Sequence, residues 1–150
     1  MKTLTGIGLS GLAIIGALTC RAPLPTEPNP LVTPVIDSVF FSEAAKGQIR
    51  LLYAVVTSQN NLEIAGCLHG SIDGKVASVK YTRLPEYLRS FPDSVQFTCD
   101  DSKDFLGDWH SHPVGNPCLF SPKDFKHFEV HKKSFVSAVA CSNGITVYTK

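Results

Sequence analysis

From residue 35 onward, β-branched and aromatic runs alternate with two stretches of helical periodicity. Residues 35–41 (VIDSVFF) predict a first strand. Ser42 is a capping residue followed by Glu43 in a first helical turn. Ala45, Ile49, Leu52 and Val56 then recur at steps of four, three and four, the apolar face of a helix that Asn60 and Asn61 end. Residues 63–71 read as a strand, Asp73-Gly74 as a two-residue hairpin turn and residues 75–82 as the returning strand. The proline-punctuated residues 84–93 read as a loop or short helical turn, residues 95–99 as a short strand, and Asp100, Asp101 and Asp104 as a solvated turn. Residues 105–112 predict another strand. After a loop holding Pro113, Gly115, Asn116 and Pro117, Ser121-Pro122 opens a helix, with an N-cap hydroxyl and proline at the first helical position. That helix is expected to reach about Lys132. Residues 135–141, an Asn143-Gly144 turn and residues 145–149 complete a closing hairpin. Strand, helix and strand across residues 105–141 predict a right-handed parallel crossover. The expected fold class is α/β (α+β), a mixed sheet flanked by helices.

The first 34 residues have a different texture. Lys2 is the sole charge before Arg21, and residues 3–20 are uncharged, mostly apolar and rich in small residues. This is the make-up of a signal segment, with an uncleaved anchor as the alternative. Ala17-Leu18-Thr19-Cys20 resembles a bacterial lipobox, which would make Cys20 the lipidated first mature residue, although Ala17 stands where Leu is usual and Thr19 is larger than the usual residue. Residues 21–34 contain five prolines and predict an extended spacer. The expected organisation is a signal or lipoprotein signal segment (1–20), a proline-rich linker (21–34) and a single folded domain (35–150). The implied location is exported and membrane-tethered, periplasmic or extracellular.

Composition narrows the partners. Of 150 residues, 14 are Lys or Arg and 13 are Asp or Glu, a net charge of +1, so no field gathers a polyanion and no nucleic-acid partner is expected. Apolar residues at 43% and charged residues at 18% describe a globular chain. Apart from Cys20, four cysteines remain: Cys67, Cys99, Cys118 and Cys141. An exported chain can hold these as disulfides in any of three pairings, between which the sequence does not choose, and four buried thiols are the alternative reading.

The chemistry concentrates in GDWHSHP. His110 and His112 stand at i and i+2 of a predicted strand, so both imidazoles leave the same face, as a metal requires. Asp124, in the first turn of the next helix, offers a carboxylate. Two histidines and one carboxylate leave a fourth position open, the pattern of catalytic zinc. Ser121 and Asp124 read equally as a capping pair, S-x-x-D, in which Asp merely complements the helix dipole.

These segments together resemble the JAMM motif of the JAB/MPN metalloproteases: an upstream glutamate, then H-S-H-P, then S-x-x-D. The family's E-x-x-G-x-x-x-G strand is matched by Glu63-Ile64-Ala65-Gly66-Cys67-Leu68-His69-Gly70, which also follows a helix. The likeness covers residues 35–150. It departs in one place: eight residues, 113–120, separate His112 from Ser121, where the family has seven. The resemblance implies an MPN, cytidine-deaminase-like fold. It implies one zinc per chain held by His110, His112 and Asp124, with Glu63 as general base and then acid, and Ser121 as hydrogen-bond donor to the oxyanion. The implied activity is hydrolysis of a peptide or isopeptide amide. The expected partner is a peptide, protein or cell-wall peptide substrate, with a membrane reached through the N-terminal anchor or lipid. The alternative is a non-catalytic MPN-type binding or scaffold module.

Other candidates are weaker. In HFEVH (127–131), Glu129 lies two after the first His, unlike the H-E-x-x-H motif, and His131 is about 10 Å along the helix from Asp124. His127 and His131 are therefore expected on the exposed surface. His69 reads as an ordinary polar strand residue, Trp109 and Ser111 as pointing away from the ligand histidines, and Cys118 as a disulfide or inert thiol beside the site.

Overall fold

Ser42 starts the first helix as expected. Its hydroxyl accepts from the Ala45 amide at 3.1 Å, and Ala45 and Ile49 are fully buried below it. In the computed structural model, which describes residues 34–100 and 102–150, this helix, α1 (Glu43–Leu52), follows strand β1 (Ser38–Phe41). Signal segment, Cys20 and nearly all of the proline linker lie outside the described residues. From Tyr53 to Ser58 the helix widens to π geometry. The extra residue turns the buried face by one position: Thr57 is 1% exposed, and Val56 is only partly buried. Asn61, at φ 54°, ends the helix in the left-handed region, its amide bonded to the Thr57 carbonyl.

The remaining elements are β2 (Ala65–Asp73), β3 (Val76–Arg83), β4 (Tyr87–Ser90), β5 (Val95–Thr98), β6 (Phe105–Ser111), α2 (Pro122–Val130), β7 (Val136–Cys141) and β8 (Gly144–Thr149). Six strands form one sheet in the order β1-β3-β2-β6-β7-β8. β1 is parallel to β3 and β6 to β7, while the other neighbours are antiparallel. The fold is thus α+β with a mixed sheet and two helices. Among the described residues no helix is long and apolar enough to cross a membrane.

Residues 84–93 are not a plain loop or a helical turn: they contain β4, which pairs with β5 as a separate two-stranded sheet. Its four residues alternate exposed and half-buried between Pro85 and Pro92, too short to show a period. Both tight turns lie one residue from their expected places. Asp73 pairs with Val76, so the first loop is Gly74-Lys75, with Gly74 at φ 57° in the leading position, where a positive φ matches strand twist. Cys141 pairs with Gly144, so the second loop is Ser142-Asn143.

One sheet face packs on α1. Trp109, Leu68, Val79, Ala138 and Ala140 meet Ala45 and Ile49 there. The Trp109 indole donates to the Thr82 hydroxyl at 2.7 Å, which donates to the Cys67 carbonyl. Gly66 is needed beside it, since a Cβ would collide with the indole, and a Cβ on Gly70 would collide with the Ser78 carbonyl. The opposite face packs on α2 through Phe120, Phe128, Val139 and Tyr148.

The cysteines form two disulfides, Cys67–Cys99 and Cys118–Cys141. The first ties β2 to the end of β5, across a sequence separation of 32. The chain-entropy argument gives about 3–4 kcal/mol for such a loop. Replacing Cys67 and Cys99 together by Ala should lower Tm by roughly 10 °C or more, by calorimetry. An unchanged Tm would show that this cross-link constrains nothing.

Candidate metal centre

The site forms where the start of β2 meets the end of β6. Ala65 stands opposite His110, and the Ser111 amide donates to the Ile64 carbonyl at 2.8 Å while the Ile64 amide donates to the Ser111 hydroxyl. That hydroxyl also lies 2.6 Å from the Thr57 hydroxyl of the π segment. Trp109 and Ser111 are fully buried on the α1 side, as the alternation requires. His110 and His112 leave by the other face, 6% and 9% exposed.

Asp124 arrives from α2. Ser121 is the N-cap: its hydroxyl accepts from the Asp124 amide at 3.3 Å, and the Asp124 carboxylate accepts from the Ser121 amide at 2.7 Å. The capping box is therefore present, and it coexists with a second use of the same carboxylate. One Asp124 oxygen is 3.5 Å from His110 Nε2 and the other 3.6 Å from His112 Nε2. The two Nε2 atoms are 3.2 Å apart.

This spacing suits a metal. Zinc bonds of about 2.0–2.1 Å in a tetrahedral site set ligand atoms about 3.3 Å from one another. Nδ1 of His112 donates to the Pro117 carbonyl at 2.9 Å, which leaves Nε2 with its lone pair toward the centre. At 3.2 Å from Nε2 of His110, that nitrogen is placed either to share an N–H···N hydrogen bond or to hold one metal jointly with it. Among the described residues His110, His112 and Asp124 are the group whose donor atoms gather within 4.8 Å.

The loop of residues 113–120 is pinned at several points. The Asn116 amide bonds the Pro113 carbonyl, Cys118 is cross-linked to Cys141, and the Phe120 amide donates to the Tyr148 hydroxyl. The Phe120 ring stacks on Tyr148 at 3.8 Å and lies 5.8 Å from the His110 ring.

Glu63 and Ser121 line the same cleft as the three donors, a space of about 720 Å³ bounded by α2, the 113–120 loop and the β4–β5 hairpin. Glu63 is 7% exposed, and its amide is held by the Phe91 carbonyl of that hairpin. Burial pushes its carboxyl up, while the nearby His110 and His112 pull it partly back. Burial also acts upward on Asp124, but the adjacent His110 and His112 outweigh it and hold the carboxyl well below the usual range. The Asp124 carboxylate raises His112, against burial.

Three side chains escaped the sequence reading. Asp108 is 4% exposed on the same β6 face as His110 and lines the cleft. A period-2 reading of D-W-H would have placed it there. His127 is not an exposed surface residue: it is half-buried against Phe97, ring centroids 5.5 Å apart, and burial lowers its pKa. The contact is made by β5, from across the fold. His131 is exposed, as expected. His69 is more than an ordinary strand residue. It is wholly buried, stacked on Tyr81, with Nδ1 3.3 Å from Asp104. The acidic turn is correspondingly not just solvated: Asp104 also accepts from the Tyr81 hydroxyl, which holds its carboxyl down at about 2.

No family model matches the chain, and no curated protein matches it. Solved structures similar to it include a JAB1/MPN domain protein from Archaeoglobus fulgidus, at 17% identity and TM-score 0.43, covering 75% of this chain and 88% of that one. Another, described as JAMM, a metalloprotease-like zinc site in the proteasome and signalosome, is 16% identical at TM-score 0.44, covering 77% and 87%. A solution structure of a Desulfitobacterium hafniense protein is 18% identical at TM-score 0.46, covering 74% and 90%.

Proposed function

We propose that this chain is a zinc-dependent metallopeptidase of the JAMM type, hydrolysing a peptide or isopeptide amide. The observation that carries the reading is the set of three donors, two imidazole Nε2 atoms and one carboxylate, 3.2 to 3.6 Å apart at the floor of an open cleft. Zinc held by three protein ligands with a fourth position open lowers the pKa of water toward about 7 and polarises a carbonyl. Glu63, buried beside the donors but outside their set, takes the proton of the attacking water and returns it to the leaving amine. Ser121 donates to the developing oxyanion. A hydroxyl has one proton and two lone pairs, so accepting from the Asp124 amide leaves the proton free for the cleft.

Export and membrane tethering belong to the same proposal. Two disulfides support it, since such bonds persist in oxidising compartments. Lys2, the uncharged run after it and the proline spacer support it too. The substrate is then a peptide, protein or cell-wall peptide outside the cytoplasm.

The test is metal content together with hydrolysis of a peptide library, with and without chelator. One zinc per chain and chelator-sensitive cleavage are expected. Metal-free protein, or cleavage indifferent to chelator, would overturn the reading.

Ser121 permits a sharper test of its two roles. Ser121→Ala should cost about 1 kcal/mol of stability as a lost cap, and about 3 kcal/mol of transition-state energy, near a hundredfold in turnover, as a lost donor. Ser121→Asp restores a good cap but cannot donate while ionised. It should melt near the unsubstituted protein and remain nearly inactive. Near-normal turnover in a stable Ser121→Asp protein would reduce Ser121 to a cap.

A further inference from the structure

On the sheet face away from the metal donors, a cavity of about 550 Å³ opens between α1, the end of β1 and the β7–β8 turn. Phe41, Ile49, Ile145 and Val147 give it apolar walls. Lys46 and Arg50, about one turn apart on α1, are its charged residues, and among the described residues no carboxylate lines it. The Lys46 ammonium is paired with the exposed Glu43 at 2.8 Å. Arg50 forms no ion pair among the described residues and acts on Glu43 only as a more distant charge. Two cations beside a single carboxylate leave an excess positive charge at the cavity. The catalytic assignment makes no use of it.

Tyr53 follows Arg50 at i+3, on the same helical face, and lines the cavity too. Its hydroxyl is buried and has no hydrogen-bond partner among the described residues, a costly state for a polar group that an acceptor oxygen would relieve. Arg50 is exposed, and its planar guanidinium fork matches a carboxylate. The excess charge suits a monoanion better than a phosphate monoester, which carries about −1.5 to −2. Apolar walls with a few placed polar groups are the make-up of a small-molecule site, and the volume falls in the usual range for one.

We propose that this cavity binds a small amphiphilic carboxylate. The carboxylate accepts from the Arg50 guanidinium and the Tyr53 hydroxyl, and the apolar body lies against Phe41, Ile145 and Val147. The site is on the opposite sheet face from the metal cleft, so it stands or falls independently of the peptidase reading. Titrate the full-length chain by calorimetry with octanoate, with octanamide and with octyl phosphate. Octanoate should bind roughly tenfold tighter than the neutral amide, the scale of one charge-assisted hydrogen bond. Arg50→Gln should bring octanoate down to the affinity of octanamide, and Tyr53→Phe should weaken it several-fold, with zinc content unchanged in both. In the unsubstituted protein the methyl resonances of Ile145 and Val147 should move with octanoate while the imidazole resonances of His110 and His112 stay still. That measurement holds even where a variant does not fold. No binding, equal affinity for octanoate and octanamide, full octanoate affinity in either variant, or shifts confined to the imidazoles would overturn the site. Tighter binding of octyl phosphate than of octanoate would overturn the assignment to a carboxylate.

Discussion

Glu63→Gln is expected to retain its zinc and lose hydrolysis by roughly two to four orders of magnitude, the range that general acid–base catalysis contributes. The substitution removes one ionisable oxygen and keeps the shape of a side chain that is 7% exposed, so packing beneath the β4–β5 hairpin should hold. Glu63 stands outside the three-donor group, and for that reason metal stoichiometry should not move. Metal analysis and turnover on the same preparation separate the two effects. Undiminished turnover would remove Glu63 from its role, and lost zinc would make it a ligand. The same variant, still able to hold a substrate, should trap it for identification by mass spectrometry.

The second large effect is expected from His110→Ala combined with His112→Ala. Both Nε2 donors disappear, and Asp124 is left as a single carboxylate already engaged by the Ser121 amide. One carboxylate cannot hold zinc in competition with water, so metal content should fall to near zero and turnover with it. The helix cap is independent of the imidazoles, and circular dichroism should still report a folded chain. Full zinc retention in the double variant would move the site elsewhere in the protein.

Short-range periodicities carried much of the site. Alternation along a strand put His110 and His112 on one face and Trp109 and Ser111 on the other, because side-chain direction in a strand has a period of two. The same rule, applied one step further, reaches Asp108. The Ser121-Pro122 helix start was legible because capping chemistry and the fixed φ of proline are local. The spacing of Ala45 and Ile49 was legible for the same kind of reason.

What the linear chain left open was decided by contacts between distant segments. Thr57 replaces Val56 as the hidden residue because the helix widens to π geometry, where the Thr57 hydroxyl meets Ser111, 54 positions away. β4 exists because β5, which the sequence does announce, pairs with it; the four residues of β4 are too few to show a period. His127 is half-buried because Phe97 of β5 packs on it, and His69 is enclosed because Asp104 and Tyr81 close over it. The disulfide pairing follows from which strand ends meet: β2 meets the end of β5, and the 113–120 loop meets the end of β7. By itself, then, the sequence determined that His110 and His112 share one strand face and that Ser121 and Asp124 open a helix, since each depends on backbone geometry within a few residues. The tertiary structure decided that Asp124 reaches to within 3.6 Å of both imidazoles, that Glu63 is buried beside them and that a buried Asp108 shares their cleft. Those distances depend on sheet order and on how α2 packs across β6 and β7, which no local pattern encodes.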